Sequence, residues 1–94
     1  MTKSFYYVYV LLSLKDRRFY IGLTSNLKKR FTDHNKGRNI STAGRLPFQL
    51  IFYESFLDKI DALRRERYFK TSKGKITLRL MLKEYLLRQG SSVG

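Results

Sequence analysis

The sequence of 94 residues contains no cysteine, which excludes disulfide bonds, thiolate metal sites and a cysteine nucleophile. It contains one histidine, His34, so a single side chain has an unperturbed pKa near neutrality. Acidic residues are few: 7 Asp and Glu stand against 20 Lys and Arg, a formal net charge of +13. Such a surplus favours a polyanionic partner, first nucleic acid and second an anionic membrane surface.

The sequence has no apolar run of the length that a membrane-spanning helix needs. Its N-terminal segment, MTKSFYYVYVLLS, carries one lysine before the apolar run and no small-residue cleavage site, and further charges begin at Lys15. We therefore expect a buried strand there rather than a signal peptide, and a cytoplasmic protein without membrane contact.

The remaining pattern predicts one domain over residues 1–94, with a core at about 5–88 and a frayed tail at 89–94. Residues 5–13 are apolar on both faces, which is typical of a central strand. After a polar turn, a returning strand is expected at 19–23, and a third strand at 48–56. The basic segment 38–47 is predicted to be an exposed loop.

Three helices are predicted from capping and breaking signals. The first, at 27–36, is capped by Thr24, Ser25 or Asn26 and ended by Gly37. The second runs from Asp58 to about residue 70, and the third covers about 75–88 after a break at 72–74. The order β-β-α-β-α-α predicts an α+β fold of two layers, a three-stranded, mainly antiparallel sheet flanked by helices.

Tyr9 and Tyr20 lie on neighbouring strands and share a face if the turn between them has an even number of residues. Two adjacent phenols can contact a phosphate or a water molecule, although strand tyrosines are more often core residues. Arg30 and His34 are spaced i, i+4 on a helix. An arginine there suits a phosphate contact, and a lone histidine is either a proton-transfer group or a solvated surface residue.

Glu66 is the unusual residue of the helix that begins after Asp58. It lies on the apolar stripe between Ala62 and Phe69, where an uncompensated carboxylate is costly. Either a metal ion compensates the charge, or an ion pair with Arg65, Arg67 or Lys70 does so. One carboxylate is enough for a magnesium ion that keeps waters and binds a substrate phosphate.

These residues together resemble the GIY-YIG nuclease family, in particular its small stand-alone members. Tyr20-Ile21-Gly22 matches the second half of the name motif, and Tyr7-Val8-Tyr9 corresponds to the first half. Arg30 and His34 follow Tyr20 at the positions of the family pattern. Glu66, in Ala62-Leu63-Arg64-Arg65-Glu66, is similar to the metal ligand of the family's helix. The resemblance covers about residues 5–70.

The resemblance implies metal-dependent cleavage of nucleic-acid phosphodiesters. Glu66 would hold one Mg²⁺ or Mn²⁺, and Arg30 would stabilise charge on the phosphate. Tyr9 would be the general base or would orient the attacking water, with Tyr20 assisting, and His34 would support proton transfer or bind phosphate. Gly22 would allow a close backbone approach.

The sequence departs from the family pattern at two places. The first glycine of the motif is replaced by Tyr7, which affects packing more than chemistry. No asparagine follows Asn39, although many members carry one beyond the glutamate. Thr71, Ser72 or Thr77 is the polar residue available for that contact.

We therefore hypothesise an endonuclease that acts on DNA, with RNA as the less favoured substrate. It would have low sequence specificity or a preference for structured or damaged DNA, and a protein partner could supply specificity. The alternatives are a non-catalytic nucleic-acid-binding module of the same fold, bound through loop 38–45, Lys70, Lys73 and Lys75, and a basic protein-interaction domain. The side chains expected to contact nucleic acid in the enzyme are Lys29, Arg38, Arg45, Lys70 and Lys73.

Overall fold

The computed structural model of the chain describes residues 4–39 and 42–91. Three strands, β1 (Tyr6–Ser13), β2 (Phe19–Thr24) and β3 (Phe48–Phe56), form an antiparallel sheet in the order β2-β1-β3. The helices are α1 (Leu27–Asn35), α2 (Lys59–Phe69), α3 (Ser72–Met81) and α4 (Lys83–Ser91), with a short 3₁₀ helix at Ala43–Arg45. The predicted α+β fold and the central position of the first strand are confirmed.

Side chains of β1 alternate between two hydrophobic clusters, one on each face of the sheet. On one face, Val8 and Val10 pack with Phe69 of α2 and Leu78 of α3. On the other face, Tyr9 and Leu11 pack with Phe48, and the residues that surround them are Tyr20, Leu27, Phe31, Leu46 and Leu50. The helix α1 therefore covers one face, and α2 with α3 covers the other.

The helix starts follow the predicted capping chemistry. The Asn26 side chain accepts a hydrogen bond from the Lys29 amide at 3.1 Å, and the Asp58 side chain accepts one from the Ile60 amide at 2.8 Å. Gly37, at φ +71°, follows the end of α1, in the conformation that glycine adopts without strain. These local signals therefore fix the beginnings of α1 and α2.

The prediction of one helix at 75–88 is wrong in two respects. Residues 72–74 are not a non-helical break between two helices. They form the first turn of α3, which begins at Ser72 because the Thr71 side chain caps the Gly74 amide at 3.0 Å. Gly74 is needed because a Cβ at this position would collide with the Tyr68 carbonyl at the end of α2. The second difference is a separation at Leu82, whose φ of −106° and ψ of 22° divide α3 from α4.

Two further expectations about exposed segments need correction. Segment 38–47 is not exposed throughout, since Thr42 is fully buried and Arg45 is half-buried. Residues 89–91 of the predicted tail belong to α4, while 92–94 lie outside the described residues. None of the helices within 4–39 and 42–91 is long and apolar enough to cross a membrane.

Candidate active site

Tyr9 and Tyr20 lie on the α1 face of the sheet, as the alternation predicted. Tyr9 is paired with Gly22 and Leu11 with Tyr20 across β1 and β2, and the two phenol ring centroids are 6.3 Å apart. Gly22 lies directly beneath the Tyr9 ring, because a Cβ there would collide with the ring and with its hydroxyl. The group that closely approaches the Gly22 backbone is therefore the side chain of Tyr9.

His34 is the buried residue of α1, where it faces the sheet and contacts both tyrosines. Its Nε2 lies 3.0 Å from the Tyr9 hydroxyl, and its ring centroid is 4.8 Å from that of Tyr20. His34 is therefore not the solvated surface residue that the sequence also allowed. Both ring nitrogens are hydrogen-bonded within the protein, which suits proton transfer better than a direct phosphate contact.

The hydrogen bond of the second ring nitrogen of His34 is the basis for assigning the tautomer of its imidazole. Nδ1 lies 2.8 Å from Oγ1 of Thr42, and the Thr42 hydroxyl donates to the carbonyl of Asn39 at 3.3 Å. With that hydroxyl donating its one hydrogen to Asn39, it accepts from His34, and we assign the proton of the neutral imidazole to Nδ1. Nε2 then carries the lone pair and accepts the hydrogen bond from the Tyr9 hydroxyl. Thr42 has no local sequence signal, since only the fold brings its loop beneath α1.

Arg30 is exposed on α1 and acts on the same hydroxyl. Burial raises the pKa of Tyr9 well above its usual range, and the charge of Tyr20 adds to this effect. The Arg30 guanidinium opposes the shift through its positive charge and its hydrogen bonding to Tyr9. It also lines an open depression of about 720 Å³ between the end of β2 and α1, which includes Ser25 and Asn26.

His34 is affected in the opposite direction. Burial lowers the pKa of its imidazole, and the charge of Arg30 lowers it further, while Asp33 acts against the shift. At neutral pH the site therefore holds a protonated phenol beside a neutral imidazole. A phenolate at Tyr9 is disfavoured unless its proton moves to a neighbour at the same time.

Glu66 comes from α2, on the opposite face of the sheet, but its charge reaches the Tyr9 hydroxyl and raises the Tyr9 pKa. The Glu66 side chain is only 15% exposed, and its Oε2 is 3.2 Å from the Lys70 ammonium. The ion pair with Lys70 that the sequence allowed is therefore present. The charge of Glu66 is the smallest of the influences on the Tyr9 pKa, behind burial and the charges of Tyr20 and Arg30.

The donor set fits a divalent ion with few protein ligands. Within 4–39 and 42–91, no three His, Cys, Asp or Glu side chains come together, so a closed protein cage is absent there. Magnesium often keeps several waters and takes one or two carboxylates, with substrate phosphate completing its coordination. Glu66 provides one such carboxylate.

The side chains predicted to contact nucleic acid differ in whether an ion pair within the protein already compensates their charge. Lys29 and Arg38 both pair with Asp33, at 3.0 and 3.1 Å, and border the depression of Arg30. Arg45 pairs with Asp16 at 2.7 Å and lies over the Phe48 ring, so it has a structural contact. Lys70 pairs with Glu66, as above, and Lys73 is exposed on α3.

Thr71, Ser72 and Thr77, the residues considered as replacements for the family's asparagine, make no hydrogen bond to Tyr9, Tyr20, Arg30 or Glu66 within the described residues. The Thr71 side chain caps α3, and the Thr77 hydroxyl is 2.6 Å from that of Tyr68. Ser72 is exposed in the first turn of α3. The described residues thus supply no evident substitute.

Comparison with known protein families identifies the family of the chain. Residues 5–79, from the residue before β1 to near the end of α3, match the model of the GIY-YIG catalytic domain. The chain belongs to the GIY-YIG family, as its motifs indicated.

The relatives include small proteins of similar length. A UPF0213 protein of Lacticaseibacillus paracasei is 45% identical over 71 residues, which cover 74% of this chain and 79% of that protein. A UPF0213 protein of Streptococcus pyogenes is 42% identical over 74 residues, covering 78% and 79%. The solution NMR structure of a UPF0213 protein of Bacillus halodurans has a TM-score of 0.53 at 32% identity, covering 82% of this chain and 84% of that one.

Proposed function

We propose that the chain is a divalent-metal-dependent nuclease that hydrolyses phosphodiester bonds in nucleic acid, with DNA as the favoured substrate. The observation that carries the proposal is that several polar groups act on one buried hydroxyl. His34 bonds to the Tyr9 hydroxyl, and the charges of Arg30 and Glu66 act on it. The formal charge of +13 supports a polyanionic substrate.

The proton route starts at the attacking water, in this proposal. Tyr9 takes a proton from the water as its own proton passes to Nε2 of His34, so no free phenolate forms. The imidazolium that results keeps its Nδ1–H bond to Thr42. A substrate phosphate beside Arg30 offsets the positive charge that lowers the His34 pKa, and His34 then accepts the proton more readily.

The other residues position and stabilise the reacting phosphate. Arg30 binds the scissile phosphate through the exposed depression and stabilises the charge that grows on its oxygens. Tyr20, packed on the His34 ring, orients the water or the phosphate from the adjacent strand. Gly22 leaves the space in which the Tyr9 ring lies.

Glu66 is the residue that would hold Mg²⁺ or Mn²⁺. The bound ion would supply positive charge at the scissile phosphate and would favour ionisation of a nearby water. In the absence of an ion, Lys70 compensates the Glu66 carboxylate.

A non-catalytic nucleic-acid-binding module is the second candidate. Two observations favour it: no asparagine follows Asn39, and burial keeps the pKa of Tyr9 high. In that case loop 38–45 together with Lys70, Lys73 and Lys75 would bind a phosphate backbone without cleavage.

Nicking of supercoiled plasmid with Mg²⁺ or Mn²⁺ distinguishes the two candidates. The variants are Glu66→Gln and Arg30→Ala, with Arg64→Gln as the control, because Arg64 is an exposed cation of α2 that pairs with Asp61. We expect each site variant to lose about a hundredfold or more in rate, as expected when one electrostatic stabiliser is removed. We expect the control to cut like the wild type.

Binding of the same DNA in EDTA, measured in parallel, completes the test. Binding by the wild type without cleavage at any metal concentration, on plasmid, flaps, junctions, nicked duplex, single strands and RNA, would identify the binding module. Cleavage that survives Glu66→Gln would exclude the proposed site.

A further inference from the structure

A second cationic depression lies at the other end of β2, away from Arg30. It has a volume of about 540 Å³ and is lined by Asp16, Arg18, Phe19, Arg45, Lys75 and Arg79. Four of these six side chains are basic and one is acidic. The depression lies between the start of β2 and the exposed side of α3. The proton route proposed above does not use it.

The charges of this depression are not compensated locally. Its one carboxylate, Asp16, is bound by Arg45, at 2.7 Å from Nε, and this bond lowers the pKa of Asp16 to about 2. No ion pair of Arg18, Lys75 or Arg79 occurs among the described residues. Three cations therefore face the depression without an acidic partner in that part of the chain.

The walls of the depression are organised by aromatic contacts. The Arg79 guanidinium lies over the Phe19 ring, 4.9 Å from its centroid, which limits its rotamers before any ligand binds. Arg45 donates to the Phe19 carbonyl at 3.3 Å and lies over Phe48, whose ring centroid is 6.5 Å from that of Tyr20. The cationic depression is thus joined to the tyrosine cluster by direct packing.

We propose that this depression binds a backbone phosphate of the substrate strand, a few nucleotides from the bond that is cleaved. The inference rests on the proposed nuclease function and adds the path of the nucleic acid along the outer edge of β2. β2 runs from Phe19, which lines this depression, to Thr24, which lines the depression of Arg30. The strand advances five residues between them, roughly 17 Å at the rise of a β-strand. One strand of duplex DNA advances about 3.4 Å along the helix axis per phosphate and also winds around that axis, so the two depressions fit phosphates a few nucleotides apart.

Fluorescence anisotropy with a labelled duplex in EDTA tests the binding step without catalysis. The variants are Arg79→Gln, Lys75→Gln and their double, with Arg79→Lys retaining the charge and Arg64→Gln as the control. Each lost phosphate contact should reduce the slope of log K against log salt by about 0.9. We expect a smaller slope for the two single variants, a further decrease for the double, and wild-type slopes for Arg79→Lys and Arg64→Gln.

Trimmed duplexes test the position of the contact. The wild type should lose cleavage rate when one arm is trimmed to within a few nucleotides of the cut, and the double variant should not respond to that trimming. Unchanged salt slopes for the double variant, with an unchanged melting temperature, would overturn the proposal while leaving the nuclease intact. Reduced slopes without any cleavage by the wild type would retain the phosphate contact and exclude the nuclease.

Discussion

The hydroxyl of Tyr9 lies 3.0 Å from Nε2 of His34, and both side chains are at most 1% exposed. Burial moves the two pKa values apart: it raises that of the phenol and lowers that of the imidazole. The resting pair is therefore neutral, with the proton on Tyr9 and a lone pair on His34 directed at it. In the proposed reaction, proton movement from Tyr9 to His34 requires a charge to arrive nearby, which a substrate phosphate at Arg30 would provide.

The first prediction concerns stability against pH. In the folded protein the His34 pKa is below its ordinary value, while in the unfolded chain it is about 6.5. As pH falls below 6.5, the unfolded state binds a proton that the folded state does not bind, so the free energy of unfolding decreases. We expect the melting temperature of the wild type to fall between pH 7.5 and 5.5.

The control for this effect is His34→Gln, which does not titrate. Its melting temperature should be lower at every pH but flatter over the same interval. The Asp16 carboxylate does not interfere, because its pKa of about 2 is far below this window. Equal slopes for the wild type and the variant would show that His34 is not the group responsible.

The second prediction concerns Thr42, which would act as a positioning residue for His34 in the proposed reaction. Thr42→Val removes the acceptor of the Nδ1–H bond while keeping the volume, so the tautomer with a lone pair on Nε2 loses its support. We expect at least a tenfold lower cleavage rate, a part of the 10²–10⁴ that positioned proton transfer contributes. Thr42→Ser keeps the hydroxyl and should restore most of the rate.

NMR of the ¹⁵N-labelled imidazole supplies the readout that a purely structural role would not change. The wild type should show the Nδ1–H tautomer, and Thr42→Val a mixture of both. A fall in activity for the valine variant with an unchanged tautomer would contradict the positioning role. Equal activity of the serine and valine variants would do so as well.

The third prediction compares two glycines. In Gly22→Ala the new methyl group would collide with the Tyr9 ring and hydroxyl, so the ring must move away from His34. We expect a loss of about 1–3 kcal/mol in the free energy of unfolding, the usual cost of overpacking, together with loss of cleavage. Gly44→Ala is the matched control, because no atom lies within 4 Å of a Cβ there. Thermal denaturation and plasmid nicking measure both effects, and equal behaviour of the two variants would argue against the packing of Tyr9 on Gly22.

The comparison of sequence with structure shows where local signals are sufficient. Alternation along β1 and the caps at Asn26 and Asp58 predicted the sheet and the starts of α1 and α2, because these depend on neighbours in sequence. Gly74 was misread as a breaker, since its role depends on contact with the Tyr68 carbonyl. A glycine is compatible with either reading until the packing of two helices is known.

The site shows the same distinction. The family resemblance placed Tyr9, Tyr20, Arg30 and His34 in one site, whereas their spacing alone left core and surface roles open. Tyr9, Tyr20 and His34 do contact one another, because they lie on adjacent elements at one face of the sheet. Thr42 could not be found this way: a threonine in a polar loop has no pattern that indicates burial against a histidine. The burial of both ring nitrogens of His34 likewise depends on tertiary structure and not on the i, i+4 spacing.

The fourth prediction concerns the cation that Glu66 holds in the free protein. Lys70 lies 3.2 Å from Glu66 and competes with a divalent ion for the same carboxylate. Lys70→Met removes this charge but keeps an apolar side chain, so we expect about two- to fivefold tighter Mn²⁺ binding without DNA, the scale of an exposed ion pair. Electron paramagnetic resonance of free Mn²⁺ measures the change. Lys73→Met, which removes an exposed charge three residues later, should bind Mn²⁺ like the wild type, and Glu66→Gln should abolish binding. Weaker Mn²⁺ binding by Lys70→Met would mean that Lys70 supports the site rather than competing for it.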